Sequence, residues 1–324
     1  MAGEHGDPDD GLDAGVTIQE GGEGATGTGA EADMGTGAGT DIGTGLPEAT
    51  SPRGRRQRAE ARLEATVAAN RFTIAVVFPV VGAILLLASA AELLPPPLAF
   101  NPLLVLAGTA VMRLPLAAGL SPLIDRRAAL ALVLLAAYTY AIEYVGATTG
   151  VPYGEFEYGI ALGPMFEGTL PLALPLFFLP LVLDGYLLAD RVRDRVGLAG
   201  WTRPAAGVLA ILAIDVVLDP AAVAIGFWTY AAGGPVYGVP LSNFAGWLLS
   251  AGVAVALVEV GFDTAALRDR ARNCQFLLDD LISFVILWGL VLLLTARWAS
   301  VAVVLVLLAL LAATGYFRSG QEPA

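Results

Sequence analysis

Three carboxylates stand in stretches that are otherwise apolar: Glu143, Asp215 and Asp219. At membrane depth an ionisable group costs roughly 2.5–3.5 kcal/mol or more unless it is neutral or paired, so such residues point to function by default. A carboxyl desolvated in this way stays protonated at neutral pH and can act as an acid, while an ionised neighbour can stabilise a cation or take a proton from water. Asp215 and Asp219 are four positions apart, which stacks them on one face of a helix. Other acids in apolar surroundings have plainer readings. Asp184 is expected to form a buried ion pair with Arg113, and Glu259, Asp279 and Asp280 to cap helix ends or pair with nearby Arg.

Two unusual loops follow the first and last of the three acids. One runs from Glu143-Tyr144-Val145-Gly146 through Thr149-Gly150-Val151-Pro152-Tyr153-Gly154 to Phe156-Glu157-Tyr158-Gly159. The other runs from Asp219-Pro220 through Gly226-Phe227-Trp228-Thr229-Tyr230 to Tyr237-Gly238-Val239-Pro240-Leu241-Ser242-Asn243-Phe244-Ala245-Gly246-Trp247. Trp and Tyr also gather at membrane interfaces, and Gly and Pro also make turns. It is the combination of such loops with two buried acids that points to a site.

Spans of about 20 apolar residues are needed to cross a bilayer, and the chain offers eight: 72–94, 98–120, 128–146, 169–189, 204–224, 243–262, 275–295 and 298–316. All 18 basic residues are Arg, and with a cytoplasmic N-terminus 16 of them fall inside, leaving Arg113 within a helix and Arg297 outside. The expected architecture is therefore an all-α, polytopic integral membrane helix bundle of about eight transmembrane helices, or seven if the tight turn at Arg297 conceals a re-entrant hairpin. Glu143 and Asp219 each lie about fifteen residues along a span that starts inside, or roughly 22 Å from the inner face. The three acids either converge there on one cavity or are separately hydrogen-bonded to Ser, Tyr or backbone groups.

Composition agrees: 56% of residues are hydrophobic, only 15% are charged, and mean hydropathy is +0.69. Residues 1–52 carry 11 acids without an Arg and read as a disordered acidic cytoplasmic tail. A basic juxtamembrane segment, 53–71, leads into a transmembrane domain, 72–318, and a short C-terminal tail, 319–324. No cleavable signal peptide is expected. One Cys, Cys274, and one His, His5, exclude Cys/His zinc, haem and iron–sulfur sites, so any metal would be a hard ion held by carboxylates. No metal, cofactor or nucleic-acid partner is expected. Without Lys, the chain cannot form the Schiff base of a retinal protein.

The two loops resemble those of the membrane-bound carotenoid hydratases, of the bisanhydrobacterioruberin hydratase and γ-carotene 1′,2′-hydratase type. Glu143 to Tyr158 looks like the family's Glu-x-x-Gly, Thr-Gly-x-Pro-aromatic-Gly and aromatic-x-Tyr pattern. Asp219 to Trp247 looks like its Asp-Pro, Gly-x-Trp and Gly-x-Pro-x-x-Asn-Phe-x-Gly-Trp pattern. The likeness covers about 128–262, and Tyr230 departs from it where a second Trp is expected after Trp228. What the resemblance implies is addition of water to the terminal double bonds of a C50 carotenoid in the cell membrane, with water and lipid as the other partners and further carotenoid-pathway membrane enzymes as possible neighbours. For that chemistry Asp219 is the expected acid, Asp215 its partner and Glu143 the residue that positions water. Tyr153, Tyr158, Trp228, Tyr237, Asn243 and Trp247 are the expected substrate-binding residues, and aromatic faces among them can stabilise a carbocation by about 0.5–2 kcal/mol each.

Two other classes compete. A membrane prenyltransferase would use Asp215-x-x-x-Asp219 to hold Mg²⁺ and a diphosphate, but a second acidic motif and nearby basic residues are missing from the sequence at that depth. A proton-coupled transporter would also carry intramembrane acids, but its helices would break near the midplane in two matching halves, whereas clear Gly/Pro interruption lies only at the outer ends here.

Overall fold

The structure, a computed structural model, describes residues 52–160 and 162–317. The expected acidic tail up to residue 51, together with Arg318 and the C-terminal tail, lies outside the described residues.

Local signals account for the helix boundaries. The basic segment forms α1 (Pro52–Ala69), and a single wide π-type turn over Thr73–Val77 leads into α2 (Phe78–Ala90). Asn101 caps α3 (Pro102–Met112) by accepting hydrogen bonds from the amides of Leu103 and Leu104 at 3.0 and 3.1 Å, with Pro102 in the first turn, where its missing amide hydrogen costs nothing. α4 (Leu114–Leu120) follows at a 41° bend. The second expected span is thus broken at Arg113, because Pro115 cannot donate to the carbonyl four residues back and its ring crowds that turn. Asp125 caps α5 (Arg126–Thr149), which ends on Gly150 in the left-handed conformation, φ 74°.

α6 (Leu174–Val196), α7 (Arg203–Ala224) and α8 (Leu241–Gly261) form the centre, and α7 packs against α6, α8, α10 and α11. The amphipathic α9 (Thr264–Asn273) connects to α10 (Asp279–Leu294) and α11 (Trp298–Ala313). Four stretches are long and apolar enough to cross a membrane, Thr73–Ala90, Arg126–Thr149, Gly200–Ala224 and Leu241–Gly261, and the bent pair α3–α4 makes a fifth. The protein is therefore a mostly helical membrane protein. Its polarity is arranged accordingly: Leu130, Val133, Leu248, Leu249, Leu305 and Val306 are exposed, while Asp184, Asp215, Asp219, Asp279 and Asp280 are buried.

Charges inside the bundle find partners from distant parts of the chain. Arg71 forms a two-pronged pair with Asp279 at 2.7 and 2.9 Å, and Arg203 joins Asp190 at 3.0 Å and Glu259 at 3.5 Å. Arg113 pairs with Asp280, not with Asp184 as its depth had implied; Asp184 stands beside that pair. Depth along two helices says nothing of their rotation, and α10 turns Asp280 toward the break where Arg113 leaves α3.

Candidate active site

Two helices supply the acids, and a third closes the site. Glu143 projects from the last third of α5, Asp215 and Asp219 lie one turn apart on α7, and Asn243 and Trp247 stand in the first two turns of α8. Glu143 and Asp219 line one cavity of about 90 Å³. That is several times the roughly 10–15 Å³ needed to hold one water.

The two aromatic loops meet over this cavity as a two-stranded antiparallel ribbon. β1 (Phe156–Tyr158) pairs with β4 (Trp228–Tyr230) in the register Phe156 to Tyr230, Glu157 to Thr229 and Tyr158 to Trp228. Because side chains alternate along a strand, the four rings face inward and Glu157 and Thr229 face out, as their exposure shows. Opposed rings touch across the ribbon, Phe156 to Tyr230 at 6.1 Å and Tyr158 to Trp228 at 6.4 Å between centroids. Two shorter strands, β2 (Met165–Phe166) and β3 (Leu170–Pro171), form a second hairpin ahead of α6.

The hydrogen bonds around Asp219 organise the site. The Tyr230 hydroxyl donates to Asp219 Oδ2 at 2.9 Å, and the Asn243 amide donates to the same oxygen and, at 3.3 Å, to Asp215 Oδ2. Asn243 therefore ties the two aspartates together, and Asp215 does not line the cavity but stands behind this amide. Glu143 Oε2 and Asp215 Oδ1 are buried without a protein hydrogen-bond partner. Burial pushes the Tyr153 and Tyr230 phenols above their ordinary range, so both act as neutral hydrogen-bonding groups.

Tyr153 is held between two helices by glycines. A Cβ on Gly146 of α5 would lie 2.9 Å from its ring, and one on Gly246 of α8 only 2.6 Å away. The Tyr153 hydroxyl shares a 2.6 Å hydrogen bond with Ser250, which Tyr138 also reaches at 3.0 Å. Trp247 stacks on Phe178 with 5.1 Å between centroids. Gly246→Leu should therefore cost about 1–3 kcal/mol by overpacking, read as earlier thermal unfolding in detergent. Gly252→Leu, on the same helix with nothing within 4 Å of its added Cβ, should unfold like the parent protein; equal behaviour of the two would refute this account.

Of the expected substrate-binding residues, Tyr153, Tyr158, Trp228, Asn243 and Trp247 line the cavity. Tyr237 is not part of that wall. Its hydroxyl accepts a hydrogen bond from the Ala299 amide at 3.0 Å and its ring lies under the Arg297 guanidinium at 5.2 Å, so it fastens the loop before α8 to the turn between α10 and α11. Tyr230, which sequence reasoning treats only as a departure from a family pattern, touches the acid directly. Trp288 of α10 and Phe227 also join the wall. The alternation Phe156-x-Tyr158 and Trp228-x-Tyr230 is the signal that could have revealed the ribbon.

The model of the carotenoid biosynthesis protein family matches residues 100–311. The chain is also 57% identical over 240 residues, 74% of its own length and 82% of the relative's, to bisanhydrobacterioruberin hydratase of Haloarcula japonica. No solved structure matches.

Proposed function

Because the chain belongs to the carotenoid biosynthesis protein family, we propose that it is a carotenoid hydratase that adds water to the terminal double bonds of a C50 carotenoid, converting bisanhydrobacterioruberin to bacterioruberin. The observation that carries this reading is the meeting of two acids from separate spans, Glu143 and Asp219, in one aromatic-walled cavity.

In this reading the Asp219 carboxyl gives its proton to the less substituted carbon of the terminal double bond. The π electrons form the new C–H bond and leave a tertiary carbocation. The Asp219 carboxylate so formed keeps the hydrogen bonds from Tyr230 and Asn243, which favour the charged form. Trp228 and Tyr158 offer their faces to the cation, for about 0.5–2 kcal/mol each. A water held by Glu143 then attacks the cation, the C–O bond forms, and the water's surplus proton returns to Asp219. Asp215 acts through the shared Asn243 amide, as a positioning group for Asp219. No external acid, reductant or metal enters the balance.

The finer topology belongs to the same proposal: eight crossings in the cell membrane, with the N-terminus and its acidic tail cytoplasmic. Support comes from the Arg distribution and from the helices, broken once, that occupy all eight apolar stretches.

The test is direct. Protein in membranes, supplied with the dehydrated carotenoid, should yield products heavier by the mass of one water per reacted end. Since the cavity has room for one terminus, a half-hydrated species should rise before the fully hydrated one. No gain in mass would refute the hydratase reading, and a fully hydrated product that appears without the intermediate would refute processing one end at a time.

A further inference from the structure

A second cavity adjoins the first, and the mechanism leaves it without a task. It lies between α2, α3 and α10, measures about 120 Å³, and shares Phe177, Leu181, Leu218, Phe227 and Trp288 with the reaction cavity. From Phe78 to Ser89 on α2 its lining runs eleven residues, about 16 Å at the helical rise. Leu85, Leu98 and Leu104 line it and are also 39–49% exposed, so its side toward the lipid is open.

From this continuity, and resting on the hydratase reading, we propose that the cleft between α2 and α3 is the berth of the substrate's conjugated chain, which enters sideways from the lipid and passes beneath Phe227 to bring its terminus before Asp219. The walls suit such an occupant. Phe227 stands on the partition, edge-on to Phe100 at 6.0 Å and to Trp288 at 5.7 Å between centroids, and offers aromatic surface to a polyene on either side. Among the polar residues of the wall, the Ser89 hydroxyl donates to the Leu85 carbonyl at 2.7 Å and accepts from the Phe100 amide at 3.1 Å, and the Asn101 side chain donates to the Pro97 carbonyl at 2.8 Å and accepts from the Leu103 and Leu104 amides. The inner end is closed by Arg113, which Asp280 holds. A chain too long for both cavities must then leave its far half in the bilayer, which is the structural reason for one end per encounter.

Gly108 of α3 supplies the test. It lines the cleft, and nothing lies within 4 Å of where its Cβ would stand, so Gly108→Phe places a ring in the berth without pressing on the helix's neighbours. Turnover of the long carotenoid at limiting concentration should fall about tenfold or more, while turnover of a short acyclic alkene with the same terminal group stays at the parent value. Unchanged turnover of the long substrate would overturn the proposal, and so would an equal loss on both substrates. Leu104→Trp, which fills the cleft from its rim, should repeat the pattern and guards against a folding defect in the first variant. If the parent protein hydrates neither compound, the hydratase reading fails by itself. The berth is then judged by carotenoid binding, followed through the polyene absorption bands: weaker binding in Gly108→Phe supports it and unchanged binding overturns it.

Discussion

Asp219→Asn should lower carotenoid hydration by about 10²–10⁴-fold, the usual contribution of a placed general acid. The replacement keeps the size of the side chain and an oxygen able to accept from Tyr230 and Asn243, as Asp219 Oδ2 does in the native protein. What it removes is the transferable proton, and an alkene has no other strong acid within the cavity's lining except Glu143. The measurement is product formed in membranes at saturating carotenoid, beside the absorption bands of the bound pigment. Loss of turnover with normal binding fits the assignment. Turnover within a few-fold of the parent would assign the proton to another group.

The second large effect concerns stability. Arg113→Leu should destabilise the protein by about 3–5 kcal/mol, because removing one partner leaves the other charge buried without compensation. The side chain of Asp280 is fully buried and that of Arg113 only 13% exposed. The double replacement, Arg113→Leu with Asp280→Leu, should recover most of the loss, since neither charge then remains to be desolvated. Thermal unfolding in detergent would report both. A double variant no more stable than the single one would show that the loss comes from the other contacts of this cluster, including those of Asp184 beside the pair, and not from an uncompensated charge on Asp280.

How much of this was legible beforehand depends on the kind of information each residue carries. Hydropathy marks a helix by its own composition, so each of the eight apolar stretches holds one, or a broken pair, in the structure. Basic α1 and amphipathic α9 escaped notice because neither is apolar, and the break at Arg113 comes from the backbone effect of Pro115, which a hydropathy window does not weigh. Depth follows from counting residues, and Glu143 and Asp219, at the same count along their spans, do share a cavity. Rotation does not follow from counting. Asp280 faces Arg113 although 167 positions separate them, and no local pattern could name that partner. The loops show the same division. Their aromatic content pointed to a site, but strands of three residues are too short to announce themselves, so β1 and β4 and the contact of Tyr230 with Asp219 appear only in the folded chain. Tyr237 shares a motif with Asn243 yet points elsewhere, since contiguity in a loop does not fix direction.

The ribbon of β1 and β4 carries a consequence for how the two acids keep their distance. β1 hangs from the helix bearing Glu143 and β4 from the helix bearing Asp219, and the strands are joined by main-chain ties, among them Gly159 to Phe227 and Ala231 to Glu155, each 2.9 Å. The gauge between water holder and proton donor is therefore calibrated by peptide groups, which every amino acid except proline supplies alike, and the outward Glu157 and Thr229 are free to drift in identity. Chain length in the two loops has no such freedom: a slip of one residue in either strand would turn that strand's two rings to the exterior and unroof half the chamber while every side chain needed for it was still present.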